Sequence, residues 1–342
     1  MKPQNYPDLK VLIQKLDKRH KQRQATRVIL AGSAVLGTFI LGAPFLMPKN
    51  APVATTSAPT TTEAAAPAPD AYASVSLYGR AAIVYDLTTK EVIYEKHAKT
   101  QLPLASLTKL ITAYAAASVL TSDASVTVTS SALNEEGESG LQEGEVFTFA
   151  DAAKLALVAS SNDMAQAIAE TAATHESTTG KRLLASAVEA IGLPQTYALN
   201  GTGLDVNTTL SGGYGSAYDV AQLAGALLEK APNIAAATTR SSVTVYSKNG
   251  AVHTLPNTNQ DVVQVPNLLL SKTGFTDLAG GNLAIVYDAG IGHPVAIVVL
   301  GSTREGRFAD VAKLLSLTGK HFAGMSAVPT AIQSTTRATT TP

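Results

Sequence analysis

The chain has 342 residues, and its 26 basic side chains are matched by 26 acidic ones. That length allows one large domain or two smaller ones, and the zero net charge gives no sign of duplex nucleic acid as a partner. With no cysteine, disulfides, thiolate zinc sites, iron–sulfur clusters and cysteine nucleophiles are excluded together. A nucleophile, if there is one, is Ser, Thr, Lys or a carboxylate.

The neutral total is unevenly spread. Residues 1–27 hold Lys2, Lys10, Lys15, Lys18, Arg19, Lys21, Arg23 and Arg27 against Asp8 and Asp17, a net +6 that leaves −6 for the rest. Residues 28–47 then run for twenty positions without a charge. At about 1.5 Å each they match the roughly 30 Å hydrocarbon core of a bilayer. A cleaved signal peptide and a buried globular helix are the alternatives. The run is long for a signal h-region, and Pro44 and Pro48 spoil the small-residue cleavage sites. The pattern predicts a basic cytoplasmic tail over 1–27 and an uncleaved transmembrane signal anchor over 28–47. Lys and Arg stay on the cytoplasmic side, which places everything after Pro48 outside a cell membrane crossed once.

Residues 48–74 read as an extended Pro/Ala/Thr-rich linker: 19 of the 26 positions from 48 to 73 are Pro, Ala or Thr. Such a segment cannot bury a core, and it reaches at most about 80 Å. The tail over 326–342 has six Thr and no hydrophobic period. Between them lies one folded unit, 75–325. It opens on a hairpin signal, strands over 81–87 and 91–97 around a Thr-Thr-Lys turn. Helical spacing of Ala and Leu follows over 105–120, 150–173, 181–191 and 216–230. Strands over 267–275, 282–290 and 293–301 suggest an antiparallel meander, and a helix over 304–317 closes the unit. Strands at both ends with a helical middle predict an α+β, three-layer fold, an antiparallel sheet flanked by helices with a helical insertion.

The chemistry begins at Ser106 and Lys109. Pro103 and the small residues after it suit a helix start, where positions i and i+3 share a face, so the two side chains can touch. A serine hydroxyl needs a base, and a lysine serves when burial or a neighbouring cation lowers its pKa. Alone the pair decides nothing, because Ser-x-x-Lys arises by chance about once in a chain of this size. Two further elements stand in order behind it: Ser160-Ser161-Asn162 after an Ala/Leu helix, and Lys272-Thr273-Gly274 on a strand. A second Ser-x-Asn, at Ser247-Lys248-Asn249, is followed by Gly250 between alternating runs and marks a hairpin turn.

Ser-x-x-Lys, Ser-x-Asn and Lys-Thr-Gly together are the signature of penicillin-binding proteins and class A β-lactamases. From about Gly79 to Leu317 the chain resembles the low-molecular-weight D-alanyl-D-alanine carboxypeptidases, serine peptidase family S11. The opening AAIVYDLTTKEVIYEKHAKTQLPLASLTKLITAY carries the likeness, as do the stretches over 198–205, 215–224, 255–260 and 272–286. The family's extra β-rich C-terminal domain is expected to be missing, since about 17 residues remain. The N-terminal anchor also differs from the C-terminal amphipathic one common among relatives.

The resemblance implies that Ser106 attacks the penultimate D-alanine carbonyl of a peptidoglycan stem peptide, releasing D-alanine and leaving an acyl-enzyme that β-lactams mimic as covalent inhibitors. Lys109 would be the general base, its pKa lowered by enclosure and by the charge of Lys272. Ser160 and Asn162 would relay protons and hold peptide and base. The backbone N–H groups of Ser106 and of Phe275, just after Gly274, would form the oxyanion hole. Thr273 and Arg307 would bind the terminal carboxylate, with Arg304 one helical turn from Arg307. No cofactor is implied.

Competing readings have less behind them. The six histidines show no metal-ligand spacing, and the glutamates from Glu135 to Glu145 read as a solvated loop at the rim of the site. A β-lactamase would need the glutamate of Glu-x-x-Leu-Asn, where this chain holds Ser130 and Thr196. A DD-endopeptidase acting on cross-links stays open as an alternative. A silent peptidoglycan binder would need neither Ser106 nor its base.

Overall fold

The computed structural model describes residues 70–326, apart from Glu138 and Ile291. The basic leader, the uncharged run over 28–47, most of the linker and the tail beyond Ser326 lie outside the described residues. Among the described residues no helix is long and apolar enough to cross a membrane.

The first strand, β1 (Ala81–Asp86), is buried at every position. Ala81, Ile83 and Tyr85 face one apolar cluster and Ala82 and Val84 the other. A strand whose two faces are both apolar belongs inside a sheet covered on both sides. It pairs with β2 (Val92–Lys96), and the chain then crosses through β3 (Leu102–Pro103) into a buried helix, α1 (Thr108–Val119). A helical region follows, with β4 (Ser125–Thr127), α2 (Ser130–Leu133), β5 (Val146–Thr148), α3 (Phe149–Val158), α4 (Asn162–His175) and α5 (Gly180–Ile191). The short strands β6 (Tyr197–Ala198) and β7 (Gly213–Gly215) join β3 in a small sheet.

The helix α6 (Ala217–Lys230) returns the chain to the main sheet, and α7 (Pro232–Ala237) leads into the hairpin of β8 (Ser242–Tyr246) and β9 (Val252–Pro256). Its turn holds the Ser247-Lys248-Asn249 copy, with Gly250 at φ +93°. The meander β10 (Leu268–Thr276), β11 (Gly280–Asp288) and β12 (Pro294–Ser302) completes an antiparallel sheet in the order β10-β11-β12-β1-β2. Helices α1 and α6 cover one face, and α8 (Gly306–Ser326) the other. These are the three layers that the sequence predicts, with β10 at an edge.

Three boundaries differ from expectation. The helix expected over 150–173 is two helices, because Ser160 takes a left-handed φ of +59° and Ser161 caps α4, its Oγ accepting from the Met164 N–H at 3.1 Å. Alanines on both sides of the break keep the helical period running through it. The last helix runs nine residues past its expected end at 317. The folded unit also begins before residue 75. Tyr72 is buried, stacks on Tyr94 with ring centroids 5.0 Å apart, and donates to Thr318 Oγ1 at 2.9 Å.

Candidate active site

Ser106 sits in a single 3-10 turn, Ala105–Leu107, between β3 and α1. The residue before it, Ala105, has φ +49°, a strained left-handed conformation for a side chain with a Cβ. Two glycines let the surrounding backbone close around this elbow. A Cβ on Gly203 would lie 1.9 Å from the Ala105 carbonyl oxygen, and one on Gly274 would lie 2.9 Å from that of Leu104 and 3.2 Å from the Ser106 nitrogen. Strand β10 therefore runs directly against the nucleophile.

Lys109, one turn into α1, is buried. Its Nζ lies 2.8 Å from Ser106 Oγ, 2.6 Å from Asn162 Oδ1 and 2.9 Å from the Thr202 carbonyl oxygen. Burial pushes its pKa down to about 7, against the opposing pull of Glu135 and Asp163. Near neutrality about half of the amine is thus free base, which an ordinary lysine is not. Its two N–H bonds can then go to Asn162 and Thr202, leaving the lone pair to accept from the Ser106 hydroxyl. That is the arrangement a general base requires.

Lys272, on β10, is equally buried and donates to Ser160 Oγ at 3.0 Å and to the Thr273 carbonyl oxygen at 2.8 Å. Burial holds it well below the usual lysine range, and the charges of Lys109 and Arg307 hold it lower still. Repulsion between the two ammonium groups disfavours charging both, while Glu135 and Asp163 pull Lys109 the other way and Arg307 adds a second cation near Lys272.

The remaining residues line an open cleft of about 950 Å³ that includes Ser106, Ser160, Thr273, Gly274, Phe275 and Arg307. Thr273 Oγ1 is 2.6 Å from Thr258 Oγ1. Arg307 donates through Nη1 to the Gly274 carbonyl oxygen at 2.7 Å, while its buried Nε has no protein partner among the described residues. Burial, aided by Arg304, brings its pKa down to about 10. Arg304 lies over the Phe275 ring at 3.7 Å. Six of the nine residues singled out in the sequence line the cleft, Lys109, Asn162 and Lys272 are hydrogen-bonded behind it to Ser106 and Ser160, and the backbone of Phe275 follows the glycine that abuts Ser106.

Sequence reasoning missed several partners. Thr202 and Thr258 fall in the family-like stretches over 198–205 and 255–260, which signalled importance without a role. The loop of glutamates is not uniformly solvated, which corrects that reading. Glu135 is half-buried and accepts from Thr202 Oγ1 at 3.4 Å, and Glu145 is buried against His253 Nε2 at 3.0 Å. Nothing local distinguishes these two from their exposed neighbours Glu136 and Glu143.

The chain matches the model of the D-alanyl-D-alanine carboxypeptidase family over residues 63–304. It is 31% identical over 242 residues to the D-alanyl-D-alanine carboxypeptidase DacF of Bacillus subtilis, covering 69% of this chain and 61% of that one. To the D-alanyl-D-alanine endopeptidase of Escherichia coli it is 28% identical over 244 residues, 68% of this chain and 74% of the other. Its fold matches penicillin-binding protein D2 of Listeria monocytogenes in an ampicillin-bound form, with a TM-score of 0.60 and 25% identity over 71% of this chain and 98% of that one. The Streptomyces K15 DD-transpeptidase, at 21% identity, shares the fold with a TM-score of 0.62 over 71% and 98% of the two chains.

Proposed function

Because the chain belongs to the D-alanyl-D-alanine carboxypeptidase family, we propose that it is a serine-type DD-carboxypeptidase that removes the terminal D-alanine from peptidoglycan stem peptides. The observation that carries this reading is Lys109 Nζ at 2.8 Å from Ser106 Oγ, with its pKa brought down to about 7.

Ser106 Oγ attacks the carbonyl carbon of the penultimate D-alanine as Lys109 takes its proton. The carbonyl oxygen gains charge beside the N–H groups of Ser106 and Phe275, where fixed donors stabilise it. The C–N bond then breaks. The proton that Lys109 took passes by way of Ser160, which Lys272 holds, to the departing amine, so D-alanine leaves and Lys109 is restored as free base. Water hydrolyses the acyl-enzyme in the reverse sense, with Lys109 again as base. A β-lactam amide opens onto Ser106 in the same way and has no leaving group to depart. Arg307 and Thr273 receive the terminal carboxylate, which supplies the buried, unpartnered Nε with an acceptor.

Incubating the protein with a D-Ala-D-Ala-terminated peptide tests the activity through released D-alanine. A labelled penicillin tests the nucleophile: the added mass falls on the tryptic peptide of Ser106, and an adduct on another serine overturns the assignment. A cross-linked stem is the second reading, favoured by the open cleft of about 950 Å³ that Ser106 lines and by the likeness to an E. coli D-alanyl-D-alanine endopeptidase.

The same reading places the enzyme outside a cell membrane on a single N-terminal anchor, supported by the +6 leader before twenty uncharged residues. External protease on intact cells should cut the linker and release active enzyme while residues 1–27 stay protected. Mature protein starting after residue 47 would instead mean signal cleavage.

A further inference from the structure

Three carboxylates stand on the two segments that Asn162 joins to Lys109: Asp163 and Glu170 on α4, and Glu135 in the segment after α2. Two of them are already engaged. Asp163 is buried and accepts from the backbone N–H of Ser139, whose hydroxyl donates to Ser161 Oγ at 2.6 Å. Glu170 accepts from Thr129 Oγ1 at 2.7 Å and from Gln166 Nε2 at 2.9 Å. Glu135 has one long bond, 3.4 Å from Thr202 Oγ1. Thr202 is the residue whose carbonyl oxygen accepts from Lys109 Nζ at 2.9 Å. The segment that carries Glu135 is held by the same hardware, because Asn162 accepts from Lys109 through Oδ1 and donates through Nδ2 to the Glu136 carbonyl oxygen.

We propose that Glu135 is a positioning residue for the proton transfer, a fixed counter-charge set behind Thr202 that balances the ammonium formed when Lys109 takes the Ser106 proton. The inference rests on the reading of Ser106 and Lys109 given above. A buried lysine that gains a proton without an anion nearby is costly, and Glu135 is the carboxylate whose charge is least spent on other donors. Of the charges around the lysine, Lys272 from β10 opposes protonation, while Glu135 and Asp163 favour it, Glu135 ahead of Asp163.

The sign of the effect makes the role testable. Acylation needs neutral Lys109, so its rate rises with pH through the lysine's pKa. Removing the Glu135 charge lowers that pKa and moves the rising limb to lower pH, by about half to one unit. The experiment is the pH profile of acylation by a fluorescent penicillin, for wild type, Glu135→Gln, Glu135→Asp and Glu143→Gln. Near pH 6, Glu135→Gln should acylate about 3- to 10-fold faster than wild type, by the same shift. Glu135→Asp, which keeps the charge, should lie between wild type and Glu135→Gln, and Glu143→Gln in the exposed part of the loop should follow wild type. A Glu135→Gln profile lowered at every pH, with its limb unmoved, would make Glu135 structural only and overturn the proposal. A wild type that does not acylate at all would overturn the reading of Ser106 itself.

Discussion

Asn282 on β11 holds Leu104, two residues ahead of the nucleophile. Its Nδ2 donates to the carbonyl oxygens of Pro103 and Leu104, each at 3.0 Å, and its Oδ1 accepts from the Gly301 N–H at 2.8 Å. Asn282 is fully buried, so one side chain ties the second strand of the meander to the turn that aims Ser106. Replacing it by Ala leaves two carbonyls and an N–H buried without that partner. Asn282→Ala should lose about 2–4 kcal/mol of stability, the usual penalty for such orphaned groups, read as a lower urea midpoint. Asn282→Asp should also be destabilised, since a carboxylate cannot donate to carbonyl oxygens. A midpoint unchanged in both variants would show that the amide is not what fixes the turn.

Gly274 separates effects on aim from effects on stability. An added Cβ would lie 3.3 Å from that of Ala105 as well as against Leu104 and Ser106, so Gly274→Ala must push the turn and β10 apart by a few tenths of an ångström. Displacements of that kind in a reacting pair cost rate steeply. Penicillin acylation should fall about 10- to 100-fold while the protein remains folded by circular dichroism. A variant that acylates at the wild-type rate would mean that β10 yields freely at this point, and the close approach would have no catalytic role.

The two lysines should behave differently. Lys109→Ala removes the base and should reduce both peptidase activity and acylation about 10²- to 10⁴-fold. Lys272→Ala should weaken both and leave a residual rate, because Lys272 touches Ser160 rather than Ser106. With wild type, kcat/KM should climb through about pH 7, where Lys109 loses its proton, and fall about tenfold per unit below it. An acylation rate flat from pH 5 to 8 would assign the proton to another group.

How much of this was legible in the sequence follows the range of the interactions. Ser106 and Lys109 are three residues apart, so their contact could be read from helical spacing, and the strands of the meander from their apolar runs. Asn282 reaches Leu104 across 178 positions, and Thr202 reaches Lys109 across 93. No local pattern encodes either pairing. The break at Ser160 was hidden for another reason: its left-handed backbone serves the contact with Lys272, and an alanine-rich helical period on both sides masks it. Tyr72 falls in a Pro/Ala/Thr-rich window whose average composition hides it, whereas one buried aromatic suffices to anchor a stretch of chain.

The leaving-group side of the cleft decides between a terminal residue and a cross-link. Arg307 donates through Nη1 to the Gly274 carbonyl oxygen, and its buried Nε has no partner among the described residues. A free terminal carboxylate would provide one, and charge-assisted hydrogen bonds of this type contribute about 1.5–3 kcal/mol. Amidating the final D-alanine removes the charge and leaves the donor unpaired, so kcat/KM should drop roughly 10- to 100-fold by the same energy. Arg307→Ala should show a similar loss on the free acid and little further loss on the amide, because the interaction is already gone. Arg304→Ala, which removes only the stack on Phe275, should keep the wild-type preference for acid over amide. The ratio of the two substrates cancels any general damage from the lost Gly274 contact, since that damage falls on both. Equal turnover of acid and amide by the wild type would sink the carboxylate role of Arg307 and favour cleavage of cross-linked stems.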